Sequence, residues 1–290
     1  MPPLVWESRP TLRRPVLIAA FEGWGDAAEA ASAAGKFLAA EWGAQRFASI
    51  DGEEFYDFTV TRPHVRIDDD LNRHIDWPTN TFEWATIPGH DRDVIFFHGV
   101  EPQLKWRTYT SAAVEVVRSV GVEFAITLGA LLADVPHTRP VRVLGATPDP
   151  GLAVDLGLRR SRYEGPTGIS SVVLHALHAS GIKSASLWAS APYYLPRTPS
   201  PKATLALVER AVSLLGVGID TTELQMASST YEHQVNEMVE SEEEVADYVR
   251  RLEAASEDAD DDSGLADIEI PHPDAIAAEI ERYLRDHDAD

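Results

Sequence analysis

Cysteine is absent from all 290 residues, which excludes disulfides, thiolate nucleophiles and cysteine-ligated metal centres together. Positive charge is scarce: 25 Lys and Arg stand against 47 Asp and Glu, a formal net charge of −22. A field of that sign repels phosphates, so no nucleic-acid partner is expected. No run approaches the roughly 18 apolar residues of a membrane span. The best of them, "FAITLGALLA", soon meets Asp134, so no membrane partner is expected either. The N-terminal "MPPLVWESRPTLRRP" has no apolar h-region, and no serine stands in a G-x-S-x-G elbow. These absences point to a cytoplasmic location and away from nucleophilic hydrolysis.

The acid is unevenly spread. From Glu240 to Asp290 there are 19 acidic residues, 4 Arg and no Lys, a net of −15 that leaves −7 for everything before. The acidity belongs to the tail. A solvated helix face or linker is the ordinary meaning of such a run, and a docking tail the less common one.

Upstream, strand-like runs occur at "RPVLIAA", "QRFASID", "TFEWATI", "DVIFFHG", "EFAITLG" and "SASLWAS". Helical patterns fall at 26–41, 104–120, 168–180 and 201–215. That alternation predicts an α/β fold, a three-layer sandwich with a mostly parallel sheet between helices. Around Pro63–Trp77 the stretches "HVRI" and "NRHIDW", joined by "DDDLN", read as a hairpin insertion at an edge. An α/β core over 1–220 is expected, followed by an acidic helical appendage over 221–290 with a flexible linker near 256–264. Val235, Met238, Val245, Val249 and Leu252 predict one long helix with a narrow apolar stripe, docked on the α/β body. Pro273 and Asp274 start a last helix carrying Ile276, Ile280, Tyr283 and Leu284 on one face.

Candidate chemistry belongs in the loops after the strands, at 22–26, 98–107, 129–142 and 191–202. The first, Gly23-Trp24-Gly25-Asp26-Ala27-Ala28, is a G-x-G-x-x-A between a strand and a helix, with Asp51 further on. A dinucleotide site needs bare helix amides facing a pyrophosphate. Glu22 and Asp26 place carboxylates there instead, and Trp24 adds bulk between the glycines. Asp26 as a helix cap fits better than a phosphate cradle. The second loop, "HGVEPQLKWR", carries Glu101, Lys105 and Arg107. In the third, "GALLADVPHTRPVR", Asp134 could orient His137 as an acid-base pair, or the two could be a turn cap and a loop histidine; Arg139 follows them. Glu164, Gly165, Pro166, Thr167 and Gly168 lead into a helix whose first amides could meet an anion near Arg159, Arg160 and Arg162, or could simply be a tight helix start. His175 and His178 stand three apart, too few for a metal site, and neither metal nor cofactor is assigned.

Together "LIAAFEGWGDAAEAAS", "RPHVRI", "IDWPT", "PGHDRDVIFFHGVEPQLKWRTY", "TLGALLADVPHTRPV", "SRYEGPTGI" and "SLWASAPYYLPRTPSPKATLALV" resemble the proteasome-assembly-chaperone-two family in its actinobacterial form, over about residues 10–255. The resemblance implies a phosphorylase/hydrolase-like core and a homo-oligomer, with a trimer favoured, and it makes the G-x-G turn a family signature. Eukaryotic relatives end in a hydrophobic-tyrosine-any-residue tail, whereas this sequence ends "RDHDAD". Tail docking on a proteasome ring is therefore not expected.

Two functions compete. One is a non-catalytic interaction or assembly protein whose protein partner is unknown. The other is a small-molecule enzyme or ligand sensor for a nucleoside or phosphorylated metabolite, using Glu22, Trp24, Asp26, Arg107, Asp134, His137, Arg139, Glu164 and Thr167 as a polar cluster at the strand ends.

Overall fold

Apolar residues on both faces of a strand need a helical layer on each side, and the second strand shows this residue by residue. In the computed structural model, which describes residues 3–161 and 163–261, β1 is Leu4–Trp6 and β2 is Val16–Glu22. Val16, Ile18 and Ala20 pack with α1 (Ala30–Glu41) and with a later helix over Pro201–Leu215. Leu17, Ala19 and Phe21 face the other way, onto helices over Trp106–Ser119 and Ile169–Ala179. Two separate cores flank one sheet, and the three-layer expectation is met.

The remaining strands are β3 (Gln45–Ile50), β4 (His64–Ile67), β5 (Arg73–Asp76), β6 (Asn80–Thr86), β7 (Asp93–Val100), β8 (Phe124–Ala133), β9 (Val143–Ala146) and β10 (Lys183–Pro192). In chain order the further helices are α2 (Trp106–Ser119), α3 (Pro150–Asp155), α4 (Ile169–Ala179) and α5 (Pro201–Leu215). Eight strands form the main sheet in the order β1-β3-β6-β7-β2-β8-β10-β9. Only β7-β2, β2-β8 and β8-β10 pair in parallel; the other four pairings are antiparallel. The sheet is therefore mixed, which corrects the mostly parallel expectation. No helix crosses over between β3 and β6, so the chain returns antiparallel. That connection instead carries β4 and β5 as a separate two-stranded arm. Ile50, Asn80 and Gly99 are register partners, so the arm rises from the same end of the sheet as the loops after β2 and β7, away from the sheet's edges.

Past Asp220 the expected single helix is two: α6 (Thr222–Glu240) and α7 (Glu243–Asp261). The stripe breaks between Val239 and Val245, and the chain folds back so that both ridges share one small cluster: Tyr231, Val235, Val239 and Val249 close over Leu195, flanked by Tyr194 and Val245. Met238 is 45% exposed and lies outside that cluster. The docking surface belongs to the chain's own α/β body. α7 continues to Asp261, into the stretch read as a linker, and the helix expected from Pro273 onward lies outside the described residues.

Candidate functional site

The loop after β2 is shaped by two glycines and closed by two carboxylates. Gly23 adopts φ +134°, and a Cβ there would lie 2.8 Å from the Glu101 Cβ, so only glycine fits the turn. The chain then passes Ala28 and Glu29, both left-handed at φ 54°, before α1 begins at Ala30. These two residues delay the helix past its expected start at Asp26. The displacement brings the 9%-exposed Asp26 back under α1, where its Oδ1 accepts from the Ala31 amide at 2.8 Å and the Ser32 amide at 3.0 Å. Burial pushes the Asp26 carboxyl above its ordinary range, and the bonds from Ser32 and Ala31 oppose that shift.

Glu101 does the same for a second helix. Its Oε1 accepts from the Ile169 amide at 2.7 Å, the first residue of α4, and its Oε2 accepts from the Trp24 amide at 3.1 Å. One side chain from the β7–α2 loop thus ties the β2 turn to the α4 N-terminus. Both helix starts that could hold a phosphate are met by the chain's own carboxylates. Trp24 lies against the start of α4, where a Cβ on Gly168 would be 3.1 Å from its ring. Trp188 of β10 crosses Gly129 of β8, leaving no room for a side chain there: a Cβ would fall 2.6 Å from the ring.

Asp134 and His137 have a different occupation. Asp134 Oδ1 accepts from the Tyr248 hydroxyl of α7 at 2.8 Å. The His137 amide donates to the Tyr194 oxygen at 2.8 Å, so the Tyr194 proton goes to Nδ1, 2.6 Å away. Nε2–H then donates to Asn236 Oδ1 of α6 at 2.9 Å. Lys202 donates to the His137 carbonyl and pairs with Glu232 of α6 at 2.7 Å. Thr138 donates to Glu253 of α7. Burial holds His137 below its ordinary pKa and raises Tyr194 to about 12. With both ring nitrogens engaged, His137 is the latch of the helical hairpin. Asp134 and His137 do not hydrogen-bond each other; each is committed to α6, α7 or Tyr194.

The remaining candidates spread out. Glu22 pairs with Lys36 at 2.6 Å. Arg139 borders a pocket of ≈ 390 Å³ shared with Thr138, Arg250, Glu253 and Ala254. Arg107 is exposed on the first turn of α2, and Glu164 and Thr167 are exposed on the approach to α4. Arg162 is outside the described residues. An isolated bridge joins Asp26 to Ala130 of β8, so the first and third loops adjoin the same strand, yet their side chains serve separate networks. Sequence reasoning passed over Trp188, which read as ordinary strand core, and Glu232 and Asn236; the 191–202 loop was a place to look, but nothing local singled out Tyr194 or Lys202, whose partners are 30 or more positions away. Glu101 was visible, but nothing local showed that it would reach Ile169. Among the described residues no group of three His, Asp or Glu could hold a metal ion. Among them, too, no helix is long and apolar enough to cross a membrane.

A model of the PAC2 family matches residues 20–239. The chain belongs to the PAC2 family. A PAC2 family protein from Streptomyces avermitilis superimposes with a TM-score of 0.76 at 43% identity, over 81% of this chain and 99% of that one. A Mycobacterium tuberculosis proteasome-assembly chaperone homologue gives 0.74 at 41%, over 81% and 99%. A second M. tuberculosis protein, of unknown function, gives 0.80 at 26%, over 91% and 92%. No protein of curated description matches the chain.

Proposed function

We propose that this PAC2 chain is a non-catalytic interaction protein of the assembly-chaperone kind, binding a protein partner through the loops at the carboxyl ends of β2, β3 and β7. One observation carries the reading. Of 13 large hydrophobic side chains left exposed among the described residues, eight lie in those connections: Trp24, Leu104 and six between Val60 and Trp77. Tyr163, on the approach to α4, is a ninth. Exposed apolar side chains concentrated at one end of a sheet mark a protein contact. Polar groups there are meanwhile spent on internal bonds, as Asp26, Glu101, Asp134 and His137 show. The name of the M. tuberculosis relative makes proteasome subunits the first partner class to try.

The phosphorylase/hydrolase-like assignment belongs to the same proposal, supported by four neighbouring parallel strands between two helical layers. So does self-association, with a trimer as the state the family resemblance implies. The second reading, an enzyme or sensor for a nucleoside or phosphorylated metabolite, is favoured only by the position of the loops, an analogy from fold.

The test pairs the native chain with Trp24→Ser/Leu104→Ser, two substitutions at exposed positions, in quantitative recovery of partners from the source cell. Loss of the same defined partners by the variant is the expected result. Equal recovery by both proteins would overturn the proposal.

A further inference from the structure

The basic run ahead of α4 meets no anion at that helix's N-terminus, because Glu101 already holds the Ile169 amide. Arg160 turns to a different place. The chain beside it is pinned to the sheet edge: the Arg159 amide donates to the Gly145 carbonyl at 3.0 Å, and the Thr147 amide donates to the Arg159 carbonyl at 2.9 Å. This sets Arg160 and Ser161 on a cavity of ≈ 260 Å³ between α4 and the β9–β10 edge. Ser171 and His175, one turn apart on α4, form the helical wall, and Ser186 of β10 belongs to the sheet wall. Ala146, Pro148 and Leu174 supply the apolar part. Although the chain holds 47 acidic residues, none lines this cavity among the described residues. The next carboxylate along the chain, Asp149, is spent on the Gly151 and Leu152 amides at the start of α3.

The polar groups of this cavity are left over from the fold. Among the described residues neither the Arg160 guanidinium nor the His175 ring has a hydrogen bond or an ion pair. Ser186 is 6% exposed and gives its proton to the Ala146 carbonyl over a long 3.4 Å, so its lone pairs stay open to an outside donor. Two residues back on the same face of β10, the fully buried Ser184 hydroxyl has no hydrogen-bond partner among the described residues.

We propose that this cavity binds a small hydroxycarboxylic acid. The Arg160 fork matches a planar carboxylate with two parallel N–H donors. The Ser171 hydroxyl and the His175 ring give further donors, Ser186 accepts from a ligand hydroxyl, and Leu174 and Pro148 cover the carbon chain. Charge selects a carboxylate over a phosphate monoester, which carries about −1.5 to −2 at pH 7 and is commonly met by free helix amides. Here the starts of α3 and α4 are closed by Asp149 and Glu101, and one guanidinium lines the cavity. The volume lies below the roughly 300–1,000 Å³ of sites for drug-sized ligands, which suits an acid of a few carbons better than a nucleotide. The site stands apart from the connections after β2, β3 and β7, so it does not depend on which protein Trp24 and Leu104 bind.

Thermal melts of the full chain against rising lactate, glycerate and gluconate test it, with ionic strength held constant by sodium chloride and with glycerol and inorganic phosphate as comparators. At least one of the three acids should raise Tm saturably. Glycerol, which lacks the carboxylate, and phosphate should need about tenfold more or leave Tm unchanged. Arg160→Gln, at an exposed position, should keep the native Tm without ligand and weaken the acid about ten- to hundredfold, as loss of a hydrogen bond to a charged group does. Failure of all three acids to shift Tm, an undiminished shift in Arg160→Gln, or phosphate binding as tightly as the acids would each overturn the proposal.

Discussion

Replacing Asp26 separates a structural cap from a ligand cradle. In Asp26→Ala the Ala31 and Ser32 amides, on residues 0% and 5% exposed, lose their acceptor where water is a poor substitute. Each stranded amide costs roughly 1–3 kcal/mol, and cap removals cost roughly 0.5–2 kcal/mol. Because the two figures describe the same bonds, the loss is about 2–4 kcal/mol. At about 2–4 °C per kcal/mol for a chain of this size, Tm falls by roughly 5–15 °C. Asp26→Asn behaves differently, because its Oδ1 can keep both bonds while avoiding the cost of burying a charge. It should stay within about 1 kcal/mol of native at pH 7. The pH profile then discriminates further. Burial raises the folded-state pKa of Asp26 above the ordinary 3.8, so the folded protein binds the proton more readily than the unfolded chain. Native stability relative to Asp26→Asn therefore rises as pH falls through the raised value toward 3.8, and falls again on the return to neutrality. Differential scanning calorimetry of the three proteins at several pH values measures all of this. An Asp26→Ala loss below about 1 kcal/mol, or a native-minus-Asn difference flat with pH, would refute the reasoning.

Glu101→Ala frees the Trp24 and Ile169 amides together; because the side chain is only half-buried, water recovers part of the loss, and a cost of about 1–3 kcal/mol in urea unfolding is expected, with no change expected only if the carboxylate is ornamental to the fold. His137 acts in the opposite pH sense to Asp26. Its folded-state pKa is depressed, so its contribution is present above the unfolded value near 6.5 and is lost as pH falls from there toward the depressed value. Tm of the native chain should drop over that window, limited proteolysis should find α6 and α7 more open, and His137→Gln should flatten the slope; an equal slope in the variant would assign the titration elsewhere.

Much of the architecture could be read from local pattern, because Val16–Phe21 or Asp93–Phe97 are apolar on both faces and such runs have few alternatives to a central strand. The arm was equally plain from "HVRI", "DDDLN" and "RHID". β1 and β9, three and four residues long, are too short to show a period, and with them the antiparallel edges of the sheet were missed. The break at Ser241 followed from tertiary demand: folding back on Leu195 buries Val235, Val239 and Val249 together, which a straight helix could not do. At the candidate site, Asp26 was recognisable as a cap from its place before an apolar helix. The fates of Asp134 and His137 were not, since they depend on Tyr248 and Asn236, about 100 positions away.

The central claim, that the β2 turn is filled from within and the protein works through surface contacts, meets its most direct test in the melting temperature of the full chain against nucleosides, nucleotides, dinucleotides and sugar phosphates. A ligand at 100 times its Kd adds about 2.7 kcal/mol, which for a chain of this size is roughly 5–10 °C. No shift is expected with any of them. A saturable rise of several degrees, abolished by Asp26→Asn or Glu101→Gln, would contradict it and place a ligand where the two carboxylates sit.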